Sequence, residues 1–170
     1  MISTFPTLPS KTTLSQLPSL PDATVVDELL LEALRQFPHK IIVLDDDPTG
    51  VQTVHGVSVY TDWTTESIEA GFSEDQSMFF ILTNSRGFTR EETKRVHEEI
   101  AATVQAVSDQ RNQPFILISR GDSTLRGHYP LETDVLRQTL EQTSSDSFDG
   151  EILMPFFQEG GRYTIDDVHY

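Results

Sequence analysis

Short, continuous apolar runs alternate along this chain with amphipathic stretches of helical period, and that alternation limits the folds open to it. Lys40-Ile41-Ile42-Val43-Leu44, Val57 to Tyr60, Ser77 to Leu82, Pro114 to Ile118 and Glu151 to Pro155 all have strand length. Runs with no polar alternation belong to strands covered on both faces. Between them lie helix-like segments. Strands that alternate with helices predict an α/β domain with a largely parallel sheet flanked by helices.

The helical segments carry their own start and stop signals. Thr24 with Asp27 resembles a capping pair, and Val26, Leu29, Leu30, Ala33 and Leu34 share one face, so a helix is expected from Thr24 to Gln36, ended before Pro38. A short helical turn is expected over Val51 to His55, and a short helix over Thr65 to Ala70 ended by Gly71. Thr89 and Glu92 form a capping box ahead of the stripe Val96, Ile100, Val104 and Val107, which predicts a helix over Thr89 to Ser108. His97 lies beside that stripe, where a hydrogen-bonded or exposed histidine is the ordinary case. Pro130 opens a helix to Gln142 with Leu131, Val135, Leu136 and Leu140 inward. Residues 1–23, rich in Ser, Thr and Pro, read as an irregular arm before an α/β domain of residues 24–170. The alternation over Thr164 to Tyr170 reads as a strand cut short, so the sheet is expected to be truncated.

In a parallel sheet every strand delivers its following turn to the same edge, where open α/β folds bind ligands. Four polar sets follow four of the predicted strands: Asp45-Asp46-Asp47-Pro48-Thr49-Gly50, Asn84-Ser85-Arg86, Arg120 to Arg126, and Gly160-Gly161-Arg162. Three adjacent carboxylates repel one another and need a cation, arginine partners or good solvation. Arg-Gly-Asp-Ser strings also occur in plain surface turns, but this one, Arg120-Gly121-Asp122-Ser123, is gripped between a strand and a helix.

Charge narrows the ligand class. The 170 residues carry a formal charge of −15, so there is no net attraction to nucleic acid and no reason to expect anionic lipid as a partner. No apolar run approaches the roughly twenty residues of a membrane span. The absence of cysteine excludes disulfides and thiolate metal sites and fits a cytoplasmic setting. Only 12 residues are Lys or Arg, yet Arg86, Arg120, Arg126 and Arg162 all follow apolar runs. Guanidinium forks so placed suit a small carboxylate or phosphate, the alternative being pairing with local acids.

Together these residues resemble the four-carbon acid sugar kinase family, in its N-terminal, sugar-binding domain. The resemblance rests on Asp46-Asp47-Pro48-Thr49-Gly50, Asn84-Ser85-Arg86, Asp122-Ser123-Thr124-Leu125-Arg126-Gly127 and Gly161-Arg162-Tyr163-Thr164, and spans Ile41 to Tyr170. It implies one part of a two-domain, ATP-dependent kinase that phosphorylates a hydroxyl of threonate, erythronate or an oxo-tetronate. Asp46, Arg86, Arg120, Asp122 and Ser123 then contact the sugar acid. Asn84, Ser85, Gly121, Thr124, Arg126 and Arg162 complete the expected binding set. Asp46 and Asp47 are the expected catalytic groups, orienting the acceptor hydroxyl or taking its proton. Arg120 stands where many relatives have lysine, and Gly121 where a larger residue is common.

ATP and Mg²⁺ are expected for the full-length kinase, with neither bound by this fragment. No Gly-x-x-x-x-Gly-Lys-Ser/Thr or Gly-x-Gly-x-x-Gly loop occurs in the chain. The expected partners are the small anionic sugar acid and a missing C-terminal nucleotide-binding domain, with a homodimer also considered. The chain alone is expected to be inactive. Two other readings stay open. One is a haloacid-dehalogenase-like, Mg-dependent phosphatase with Asp45 as nucleophile and Asp47 as acid/base, for which Lys40 and Lys94 are the lysines to hand. The other is a non-catalytic anion-binding module.

Overall fold

The computed structural model describes residues 7–122, 126–145, 147–157 and 160–170, without the side chain of Thr53. The chain divides into two compact units, Met1–Phe37 and Pro38–Tyr170. The first holds α1 (Ser10–Ser15) and α2 (Ala23–Arg35), so a short helix occupies part of the stretch read as irregular. The cap of α2 is Asp22 rather than Thr24; its carboxylate accepts from the amides of Thr24 and Val25 at 2.9 and 3.3 Å. No residue of α2 is buried within its own unit.

The second unit is α/β, as expected. Its strands β1 (Lys40–Asp45), β2 (Val59–Tyr60), β3 (Met78–Leu82) and β4 (Phe115–Arg120) form one sheet in the order β2-β3-β1-β4. Every pairing is parallel. Among the described residues this unit has three α-helices: α3 (Thr65–Ser73), α4 (Arg90–Arg111) and α5 (Leu131–Thr143). Side chains alternate across each strand, so one face of the sheet carries Ile42, Leu44, Phe79, Ile81, Phe115 and Leu117. These pack against Ile68 and Phe72 of α3, the Val96–Val107 stripe of α4, and Leu136 and Leu140 of α5. On the opposite face Val43 and Phe80 are buried, while Ile116 and Ile118 of β4 are exposed.

Local chemistry explains most element ends. The capping box at α4 is complete: Thr89 accepts from the Glu92 amide at 3.2 Å and Glu92 accepts from the Thr89 amide at 2.8 Å. The helix runs on to Arg111 and stops at Asn112, which takes the left-handed conformation at φ 50°. Gly71 does not end α3 as expected. A Cβ there would stand 2.8 Å from the Phe79 ring, so the glycine lets the helix approach the sheet.

Two expectations at the end of the chain fail. Glu151 to Pro155 makes no ladder pairing among the described residues and forms no strand, its one bond of note being from the Thr164 hydroxyl to the Pro155 carbonyl; Ile152, Leu153 and Met154 are exposed. Apolar character permits a strand, but only a paired neighbour makes one. Thr164 to Tyr170 is not a strand cut short but a hairpin, β5 (Thr164–Ile165) against β6 (Val168–His169). Asp166 and Asp167 turn it with φ of 49° and 61°, the sign that two-residue hairpin turns require.

Candidate functional site

The register of the sheet places three chain ends side by side. Asp45 ends β1, with Leu82 of β3 on one side and Arg120 of β4 on the other. Backbone bonds continue beyond the strands. The Thr83 amide donates to the Asp45 carbonyl at 2.9 Å, the Asp46 amide to the Arg120 carbonyl at 3.2 Å, and the Arg86 amide to the Asp46 carbonyl at 3.2 Å. Three turns distant in sequence are thereby locked into one floor.

Asn84 is exposed and left-handed at φ 58°, a conformation asparagine tolerates better than most residues. It reverses the chain into a 3₁₀ turn, Ser85–Gly87, that brings Arg86 back over Asp46. The fork is bidentate: Nε donates to Asp46 Oδ2 at 3.0 Å and Nη2 to Oδ1 at 2.8 Å. Its remaining nitrogen, Nη1, pairs with Asp47. The Asp122 amide donates to Asp46 Oδ2 at 3.0 Å. Asp46, 2% exposed, is thus held from both neighbouring turns at once. These bonds in turn push the Arg86 pKa further up.

Arg120 reaches the same group from β4. Its Nη1 lies 3.3 Å from Asp45 Oδ1, 3.7 Å from Asp47 Oδ1 and 3.9 Å from Asp46 Oδ1. Unlike Arg86 it keeps 43% of its side chain exposed. The carboxylates of Asp45, Asp46 and Asp47 lie within 4.8 Å of one another, with these guanidiniums as their counter-charges.

The outer two aspartates differ. Burial works against the charge of Asp47, yet bonds from the Thr49 hydroxyl and amide, with Arg86 and Arg120, outweigh it and hold the carboxyl below its usual range. Burial dominates at Asp45. Helped by the adjacent charges of Asp46 and Asp47 and opposed by Arg120, it pushes that carboxyl up to about 6. Asp45 Oδ2 is buried without a hydrogen-bond partner among the described residues. Gly50 closes over it so tightly that a Cβ at Gly50 would overlap the carboxylate.

The remaining expected residues divide. Asp122 is gripped by Arg126, whose Nε donates to Oδ2 at 2.7 Å, while its carbonyl accepts from the amides of Arg126 and Gly127 at 2.7 Å each. Gly121 stands between two acids: a Cβ there would lie 3.4 Å from Glu132 Oε2 and 3.6 Å from Asp46 Oδ2. Ser85 is fully buried and donates inward to Glu132 Oε1 at 3.2 Å. Arg162 lines the same groove but makes no ion pair with these acids among the described residues. With Glu151 to Pro155 unpaired, no strand delivers Gly160-Gly161-Arg162 to this edge, and the Arg162 guanidinium instead sits 5.9 Å above the Phe157 ring. Ser123 and Thr124, with Leu125 of the same motif, lie outside the described residues.

Glu132 was not expected here. It is 2% exposed at the start of α5, and its Oε1 also lies 3.9 Å from Nε2 of the buried His97. His97 Nδ1 is 2.7 Å from the Thr93 carbonyl, so that nitrogen donates. Burial holds the His97 pKa below its ordinary value. The position of Glu132, three and four residues before Val135 and Leu136 on the inward stripe, was the available signal.

The phosphatase reading lacks its cation. Lys40 is at the far end of β1, donating to the carbonyls of Glu74 and Gln76, and Lys94 is an exposed α4 residue paired with Glu98. A groove passes Gly50, Arg86, Arg120 and Asp122 and continues along Ile116 and Ile118. Its polar end can accept hydroxyl protons at the aspartates and bind an anion at Arg120. Among the described residues no helix is long and apolar enough to cross a membrane.

Residues 41–170 fit the model of a family described as the sugar-binding N-terminal domain. No match was found among curated proteins or among solved structures.

Proposed function

The chain belongs to the family of sugar-binding N-terminal domains, and from that premise we propose that the cleft at the C-terminal edge of its sheet holds a four-carbon sugar acid for ATP-dependent phosphorylation. The observation that carries this reading is the bracing of Asp46 by Arg86 from one turn and by the Asp122 amide from another, with Arg120 alongside. It is a hydrogen-bonded, polar floor, and the Arg120 side chain, 43% exposed, stands beside it within reach of a ligand carboxylate. A planar fork favours a carboxylate geometrically. Asp46 and Asp47, already held by arginine, would orient the sugar hydroxyls. Threonate, erythronate and oxo-tetronates all present that combination of one carboxylate and several hydroxyls.

Nucleotide does not fit this chain's own residues. The turn after β1 carries three carboxylates and no glycine-rich phosphate loop, so it would repel a triphosphate. In this reading ATP, with Mg²⁺ held largely by phosphate oxygens and water, is supplied by a second, nucleotide-binding domain in a cytoplasmic enzyme. Titration calorimetry with threonate and erythronate tests the proposal. Binding that is lost in Arg86→Ala and in Arg120→Ala supports it; wild-type chain that binds neither acid, nor an oxo-tetronate, overturns it.

A further inference from the structure

The floor of the cleft carries more negative charge than its own arginines cancel. Asp45, Asp46 and Asp47 face Arg86 and Arg120, while Asp122 is matched by Arg126. Among these seven groups one negative charge is left over before any ligand arrives. A sugar acid would bring a second into a partly buried site, where like charges are poorly screened.

The aspartates do not share that excess evenly. Asp46 accepts from both Arg86 nitrogens and from the Asp122 amide. Asp47 accepts from the Thr49 amide at 2.9 Å and from the Thr49 hydroxyl, and pairs with Arg86. Asp45 has the least support: its side chain is 1% exposed, its only cation is Arg120 at 3.3 Å, the one backbone bond to its carboxylate is from the Asp47 amide, and Oδ2 is buried without a hydrogen-bond partner among the described residues. The groups facing it are Arg120 from β4, Asp46 and Asp47 from its own turn, and the backbone of Gly50. Arg86 is committed to the other two acids.

We propose that binding of an anionic sugar acid in this cleft takes up one proton, which settles on Asp45 and frees Arg120 to pair with the ligand carboxylate. The inference rests on the reading of the cleft given above and adds its regulation by pH. The proton comes from solvent, Oδ2 becomes a hydroxyl, and no bond of the ligand is made or broken. The site then holds two carboxylates, two guanidiniums and the ligand, with the same net charge as before binding. Burial has already raised Asp45 to about 6, so the proton is held at little cost near neutrality.

The test is titration calorimetry of the full chain with threonate and erythronate, in two non-phosphate buffers of different ionisation enthalpy. Near pH 7 the expected result is uptake of up to about one proton per ligand bound. The Kd is expected to weaken by up to about tenfold per pH unit above about pH 6. In Asp45→Asn the uptake vanishes, the pH dependence flattens, and affinity at about pH 8 exceeds that of wild type. Should Asp45→Asn fold poorly, the ¹³C carboxyl shift of Asp45 in the wild-type chain gives the same reading: its titration midpoint moves up when ligand binds. Binding without proton uptake, or with an unmoved Asp45 midpoint, overturns this inference and leaves the sugar-acid reading standing. Absence of binding overturns both.

Discussion

Strand β1 buries a charge at each end, and the two ends are solved differently. At its start Lys40, 3% exposed, sends its ammonium to the carbonyls of Glu74 and Gln76 at 2.8 and 2.5 Å. At its finish Asp45, 1% exposed, has the Arg120 guanidinium and the Asp47 amide, while its Oδ2 is buried without a hydrogen-bond partner among the described residues. The lysine's charge is met by two fixed carbonyl dipoles. The aspartate belongs to a group of charges whose balance a ligand or a proton can alter. A buried charge with its bonds satisfied reads as architecture, and one left partly unsatisfied beside a groove reads as a site.

The largest expected effect breaks the acidic end outright. Arg86→Ala strips Asp46 of its bidentate partner and leaves a buried carboxylate uncompensated, which should cost about 3–5 kcal/mol. Urea unfolding measures it, with Lys40→Met as the companion: losing the ammonium from two carbonyls should cost less, about 1–3 kcal/mol. Gly50→Ala drives a methyl group into the Asp45 carboxylate and should destabilise by about 1–3 kcal/mol. A variant as stable as wild type would show that the turn has room to move.

Asp45→Asn sharpens the comparison in the opposite direction. The folded chain holds its proton to about pH 6, whereas the unfolded carboxyl releases it near 3.8, so between those values the folded state binds more protons and stability falls as pH rises. Above about pH 6 the penalty is complete, with a ceiling of about 3 kcal/mol from the size of the shift. Removing the charge should therefore raise stability at about pH 8 by up to about 3 kcal/mol, the opposing Arg120 attraction being already contained in the shift, and change little below about pH 4. A constant difference across pH would contradict this. The smallest effect belongs to Lys40, whose pKa burial lowers beneath 10.5. Here the folded chain releases its proton first, so stability should rise slightly with pH just below that value, and Lys40→Met should abolish the rise.

Much of the second unit was legible because its signals are short-range. Ile41 to Leu44 and Phe79 to Ile81 are unbroken apolar runs and became central strands; Thr89 with Glu92 announced the start of α4. Gly71 misled because a glycine that ends a helix and one that admits an aromatic ring look alike in sequence. Glu151 to Pro155 misled because strand propensity says nothing of whether a partner edge will be met. Asp166-Asp167 is a weaker hairpin signal than Asn-Gly, and the alternation around it looked like a single strand. At the site, Asp46, Arg86, Arg120 and Asp122 were all expected and do meet, whereas Arg162 lines the groove without pairing to the acids among the described residues, and Ser85 turns inward to Glu132, which was not expected.

By itself the sequence determined the α/β class, the parallel sheet, and the turns that would carry charge, since hydrophobic period and capping act within a few residues of one another. Only the tertiary structure decided which charges pair. Asp46 and Arg86 are 40 residues apart and Asp45 and Arg120 are 75 apart. Their partnership depends on strand register and on how deeply each turn is desolvated. Burial sets the strength of a Coulombic interaction and the cost of an unpaired oxygen, and burial is a property of the packed sheet rather than of any local run of residues.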